Sequence, residues 1–124
     1  MAQQHPLPQP VVELVAERFR ALGEPLRIRL VEHLMDGEAS VRELVSASGA
    51  GQQNVSKHLG VLLHAGVVGR RKQGTLVYYR IVDDVVFRLC EEVCTSLERQ
   101  HAQLAELFAP GRVAAEGVAA GPPS

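Results

Sequence analysis

The 124-residue chain has no tryptophan, two tyrosines and three phenylalanines. Its core therefore has to be made mostly of leucine and valine. Cysteine is equally scarce. Cys90 and Cys94 are too few for a disulfide scaffold, and residues four apart on a helix do not meet disulfide geometry easily, so reduced thiols are expected. No apolar run reaches the roughly 18 residues of a spanning helix, and no charged, apolar, small-residue leader opens the chain. These absences predict a cytoplasmic protein without a membrane partner. There is also no phosphate-binding glycine loop, no Ser/His/Asp set in a plausible frame and no carboxylate pair aimed at a cleft, so the chain does not read as an enzyme.

Acid is missing from one long stretch. The formal net charge is −1, yet no carboxylate lies between Glu43 and Asp83, while Lys57, Arg70, Arg71, Lys72 and Arg80 do, giving that segment a charge of +5. The acid sits mainly in the two end helices. A locally basic segment in a neutral chain is the electrostatic footprint of a nucleic-acid binder.

Residues 1–10 carry three of the seven prolines and read as a disordered tail. Val11, Leu14, Val15, Phe19 and Leu22 recur at helical spacing and predict a first amphipathic helix ending at Gly23. Pro25 suits the first turn of a second, with Ile28, Val31, Leu34 and Met35 facing inward and Arg27, Arg29 and Glu32 facing out. Ser40 with Glu43 three residues later is a capping-box spacing and predicts a short third helix over about 41–47. After the Ser48–Gly51 turn a fourth helix runs over about 52–64, buried through Val55, Leu59, Leu62 and Leu63 and stopped by Gly66. Val67–Arg71 and Leu76–Val82 are β-rich runs around a Lys72–Thr75 tip, which predicts a hairpin. Asp83 can cap a long last helix reaching about Phe108, before Pro110 and Gly111. The expected organisation is one folded domain over 11–108 with disordered tails at 1–10 and 109–124.

The expected architecture is mainly α with a small β-hairpin wing, in the order of four helices, two strands and a final helix. That order resembles the ArsR/SmtB family of winged helix-turn-helix transcriptional regulators. The likeness is carried by Phe19–Arg27, by Asn54-Val55-Ser56-Lys57-His58-Leu59 with Leu62 and Ala65–Val68, and by Arg70–Gly74 with Tyr78-Tyr79-Arg80. It covers roughly residues 14–100. The resemblance implies a homodimer that binds a palindromic double-stranded operator, usually as a repressor, and that in many members lets go when a metal or other effector binds.

On the fourth helix, Gln52, Gln53, Asn54 and Ser56 are the expected base readers, because Gln and Asn can pair bidentately with adenine and Ser can reach a base or a phosphate. Lys57 and His58 are expected on phosphate, as are Arg70, Arg71 and Lys72 in the wing, with Ser40, Arg42 and Thr75 completing the candidate DNA surface. One such unit reads too few base pairs for a specific site. The predicted dimer seam is formed by Leu14 of the first helix and by Val86, Leu89, Val93, Leu97, Leu104 and Phe108 of the last.

Two metal sites of the resembled family do not map onto this chain. A Cys-x-Cys at the start of the third helix would fall on Ser40 and Arg42, and the last-helix set would need a His where Val86 follows Asp84 and another where Leu97 stands. This argues against zinc at either site. Cys90, Cys94 and His101 share one face of the last helix, and two copies would bring four sulfurs near one axis. Soft ligands of that kind suit trivalent arsenic or antimony, cadmium, mercury or monovalent copper. The same cysteines could equally be small hydrophobes in the seam or oxidisable thiols, and His101 an ordinary exposed helix residue. The alternative to a DNA-binding regulator is a winged-helix interaction or dimerisation module without DNA or effector.

Overall fold

The computed structural model describes residues 5–101, 103, 106 and 107. Its elements are α1 (Gln9–Leu22), α2 (Pro25–Leu34), β1 (Ala39–Ser40), α3 (Val41–Ser48), α4 (Gln52–His64), β2 (Val68–Gln73), β3 (Leu76–Ile81) and α5 (Val85–Gln100). This is the winged helix-turn-helix order. The chain divides into two compact units, residues 1–84 and 85–124. Among the described residues no helix is long and apolar enough to cross a membrane.

Local chemistry sets most of the boundaries. α1 starts at Gln9, two residues into the expected tail, because Pro10 falls in the first turn, where a missing N–H costs nothing. Glu24 caps α2 by accepting the Arg27 backbone N–H at 3.1 Å. The expected capping box is formed in full: Ser40 Oγ accepts from the Glu43 N–H at 3.0 Å, and Glu43 Oε1 accepts from the Ser40 N–H at 2.8 Å. α4 closes with the Val67 N–H on the Leu62 carbonyl and the Gly66 N–H on the Leu63 carbonyl. That Schellman pairing needs the positive φ of 82° that Gly66 adopts.

The hairpin of β2 and β3 pairs Val68 with Ile81 through Gln73 with Leu76, so its turn is the two residues Gly74 and Thr75, tighter than the four-residue tip expected. A third strand adds to it. The short β1 pairs antiparallel with β3, Ala39 opposite Tyr79 and Ser40 opposite Tyr78, giving the sheet order β1-β3-β2. Two residues are too few to leave a periodic signal in a sequence.

The core of the first unit is Leu30, Val31 and Leu34 of α2, Leu44 of α3, Val55, Leu59 and Leu62 of α4, and Val67, Val68 and Tyr79 of the wing, with Ala21 from α1. Leucine and valine carry it, with one tyrosine. The phase of α2 differs from expectation. Its buried arc is centred on Leu30, Val31 and Leu34, which at 100° per residue puts Arg27 inside the arc and Ile28 about 115° away. Ile28 is accordingly 49% exposed, while Arg29 pairs with Glu32 on the surface at 3.0 Å.

α1 contributes little apolar burial. Of its expected stripe, Val11, Leu14, Val15 and Phe19 are all exposed, Leu14 at 65% and Phe19 at 57%. What ties it to α4 is polar. Arg18 donates from Nε to the Ala65 carbonyl at 3.0 Å, satisfying a carbonyl at the C-terminal end of α4, and pairs through Nη1 with Asp83.

The second unit contains α5. Val93 and Leu97 are exposed on it and Leu89 is partly so. Val86, expected in a seam between copies, is instead buried within the single chain. Leu104 and Phe108 of the expected seam, and the expected C-terminal tail over 109–124, lie outside the described residues.

Candidate nucleic-acid interface

The turn from α3 to α4 is made by Gly49, in the left-handed region at φ 74°, and by Gly51, which takes the extended backbone of an N-cap. Neither has a side chain to cover the start of α4. Gln52, Gln53, Asn54, Ser56 and Lys57 are therefore all exposed, while Val55 and Leu59 go to the core. A depression of about 600 Å³ at this end is lined by Gly51, Gln52, Gln53, Asn54 and Lys57. Amides and an ammonium presented at a helix N-terminus can take hydrogen bonds from base edges and bind phosphate.

A second groove, of about 470 Å³, lies between α3, α4 and the wing. It brings together Ser40, Arg42, Gln52, Ser56, Arg70 and Thr75. Strand alternation explains the wing's share: Arg70 stands opposite Tyr79 and Lys72 opposite Val77, on the sheet face that includes buried Tyr79. Tyr79 is thus the core tyrosine and Tyr78 the outer one.

Arg71 is on the opposite face, and it is not a free cation. Its Nε and Nη2 reach both carboxylate oxygens of Glu38 at 2.8 Å each, Nη1 donates to Gln73 Oε1 at 2.7 Å, and the guanidinium lies 4.6 Å from the centre of the Tyr78 ring. The Arg71 hydrogen bonds hold the Glu38 carboxyl below its usual range, and Glu38 in turn raises Arg71. A bidentate pair of this kind fixes orientation more than it adds stability at an exposed site. Arg71, expected to grip DNA backbone, instead holds the base of the wing to the turn before β1. Arg80 is exposed on the Arg71 face, and on the groove side the exposed basic side chains are Arg42, Lys57, Arg70 and Lys72.

Two further expected contacts are turned away from the surface. Ser40 is 5% exposed and its hydroxyl is committed to the α3 cap. His58, expected on phosphate, is 8% exposed, with Nδ1 at 2.8 Å from Arg27 Nη1 and 4.0 Å from Glu24 Oε1. Its neighbour Lys57 keeps the outer position. Sequence reading missed Arg27 and Glu24 as its partners, although the phase of α2 around Leu30, Val31 and Leu34 would have turned Arg27 inward.

On α5, Cys94 is exposed and Cys90 partly buried; burial, and secondarily the neighbouring Cys94, push the Cys90 thiol up. His101 is exposed, its N–H bonded to the Leu97 carbonyl at 2.9 Å. Among the described residues no group of three or more His, Cys, Asp and Glu is placed to hold a metal ion.

Comparison with known proteins places the same features in context. The family model described as bacterial regulatory protein, arsR family, matches residues 24–69, which run from the α2 cap into β2. An uncharacterised HTH-type transcriptional regulator of Mycobacterium tuberculosis is 43% identical over 74 residues, 59% of this chain and 65% of the relative. The chain thus spans just under two thirds of that relative's length. A biofilm growth-associated repressor of Xylella fastidiosa is 35% identical over 89 residues, 72% of this chain and 78% of the relative. Among solved structures, the homodimeric winged helix-turn-helix DNA-binding domain of a Mycobacterium bovis protein superimposes with a TM-score of 0.69 at 29% identity, covering 82% of this chain and 96% of that one.

Proposed function

The chain belongs to the ArsR family of bacterial regulatory proteins, and on that premise we propose that it is a homodimeric repressor that binds a palindromic operator through α4 and the wing. The observation that carries this reading is the convergence of Arg42, Gln52, Ser56, Arg70 and Thr75 on one groove beside the exposed N-terminus of α4. Gln52, Gln53, Asn54 and Ser56 read bases, and Arg42, Lys57, Arg70 and Lys72 meet phosphate. Glu38 and Arg71 hold the wing at the angle that lets Arg70 and Lys72 do so. The exposed apolar faces of α1 and α5, through Leu14, Phe19, Val93 and Leu97, form the seam between copies.

A salt titration of binding to the DNA upstream of its own coding sequence tests this. The four cations per copy assigned to phosphate, in two copies, give about eight phosphate contacts, so the log–log slope of affinity against salt is expected between about −4 and −7. A flat response would favour a winged-helix interaction module. Repeating the titration with arsenite, antimonite, cadmium, mercury, copper(I), zinc and peroxide, on the wild type and on Cys90→Ser and Cys94→Ser, tests the effector reading. A soft ion or oxidant that acts through the thiols begins at Cys94, the exposed one; burial keeps Cys90 protonated to higher pH and so less reactive.

A further inference from the structure

The middle of α4 carries a buried imidazole that makes no use of the exposed face. We propose that His58 is a positioning residue for DNA reading: in its neutral form it takes a hydrogen bond from Arg27 that sets where α4 presents its outer side chains, and protonation undoes that bond. The proposal rests on the DNA-binding reading above.

All three guanidinium nitrogens of Arg27 are engaged. Nε donates to the Ala21 carbonyl at 2.6 Å, Nη2 to the Arg20 carbonyl at 3.1 Å, and Nη1 faces His58 Nδ1 at 2.8 Å. The first two are carbonyls of the last turn of α1, where a cation is favoured; the Arg20 carbonyl also accepts the Gly23 N–H at 3.2 Å. Arg27 itself lies in the first turn of α2. One side chain therefore joins the end of α1, the start of α2 and the inner side of α4. Asn54, among the expected base readers, is one helical turn from His58, so a tilt of α4 at this joint moves its amide by a distance that hydrogen bonds to base edges do not tolerate.

The donor and acceptor roles in this contact follow from the geometry. Arginine has no acceptor and keeps its charge, so Nδ1 must be the lone-pair nitrogen and the ring proton must be on Nε2. A proton at Nδ1 would set two donors and two positive charges 2.8 Å apart. The nearest acceptor for that proton is Glu24 Oε1, 4.0 Å away and already receiving the Arg27 backbone N–H as the cap of α2. The acid form thus competes for a cap as well as losing a bond. Of the other charged groups on the elements around α4, Glu17 of α1 is 3.6 Å from His64, Arg18 is on the Ala65 carbonyl and Asp83, Arg20 lines an outer groove with Lys57, Arg29 and Glu32 of α2 pair with each other, Glu43 of α3 serves its own cap, and Arg42 and Arg70 line the wing groove.

Binding of a duplex covering the DNA upstream of its own coding sequence, measured at fixed salt at about pH 8 and about pH 5.5, tests the proposal. The quantity read is the ratio of wild type to His58→Gln, whose amide oxygen can accept from Arg27 at either pH, so that effects of pH common to both proteins cancel. The two should agree within about twofold at pH 8, and the wild type should fall roughly tenfold behind at pH 5.5, the size of one buried hydrogen bond lost. His58→Leu, checked for folding by thermal melt, should bind roughly tenfold more weakly at both. Identical pH profiles for the wild type and His58→Gln overturn the positioning role, even where His58→Leu does not fold. Asn54→Ala separates the two readings. If it weakens binding while the His58 profiles coincide, only the positioning role falls; if it too changes nothing, the DNA reading fails and the positioning role with it.

Discussion

Leu97→Glu is expected to give a folded monomer that binds operator DNA about a hundredfold or more weakly than the wild type. Leu97 is 39% exposed in the single chain, on the same helix as exposed Val93, and α1 exposes Leu14, Val15 and Phe19. Among the described residues these side chains stand open, as apolar faces awaiting a cover do. In a two-fold seam each residue meets its own symmetry neighbourhood, so one substitution places two carboxylates in an apolar contact without partners, a cost of several kcal/mol. Folding survives because Leu97 is not among the buried core side chains. DNA affinity does not survive, because linking two reading helices makes the second engagement intramolecular, an advantage of about 10²–10⁴. Sedimentation of the variant checks the assembly, and an unchanged dimer would remove Leu97 from the seam.

Leu59→Ala is expected to have the largest effect on stability. Leu59 is fully buried on α4, between Val55 and Leu62, which are also fully buried. Removing a buried leucine to alanine costs about 2–5 kcal/mol through lost transfer energy and the cavity left behind. Against a total of about 5–15 kcal/mol for a domain of this kind, that is a large fraction. Thermal unfolding should fall by roughly 10 °C or more. The loss arises inside the reading helix, so DNA binding should weaken with temperature well below the wild-type melt. A shift of only a degree or two would mean that α4 is held by its polar contacts, those of Arg18 and Arg27, rather than by this leucine.

The two leucines show what a periodic pattern can and cannot say. Val55, Leu59 and Leu62 mark the core face of α4 in the sequence, and the structure buries all three. Leu14 and Phe19 give an equally regular stripe on α1, yet the chain leaves them exposed. Periodicity reports that a helix has an apolar face and not what covers it. Capping was legible because Ser40 and Glu43 interact over three residues, and the hairpin was legible because Gly74 sits between two β-rich runs. The parts that escaped depend on long-range polar pairs. Arg71 to Glu38 spans 33 positions and Arg27 to His58 spans 31, and no local rule couples residues that far apart. Their effect was to reassign Arg71 and His58 from DNA backbone to the frame that holds the wing and the helix.

The base-reading role of α4 is tested most directly by a specificity ratio. Affinity for the upstream duplex and for a scrambled duplex of equal length is compared in the wild type, Asn54→Ala and Lys72→Ala at one salt concentration. Asn54→Ala should lose discrimination by about 1–3 kcal/mol per copy while its affinity for scrambled DNA stays the same. Lys72→Ala should weaken both duplexes alike and leave the ratio intact. If Asn54→Ala keeps the wild-type ratio and the wild type itself prefers neither duplex, α4 does not read DNA.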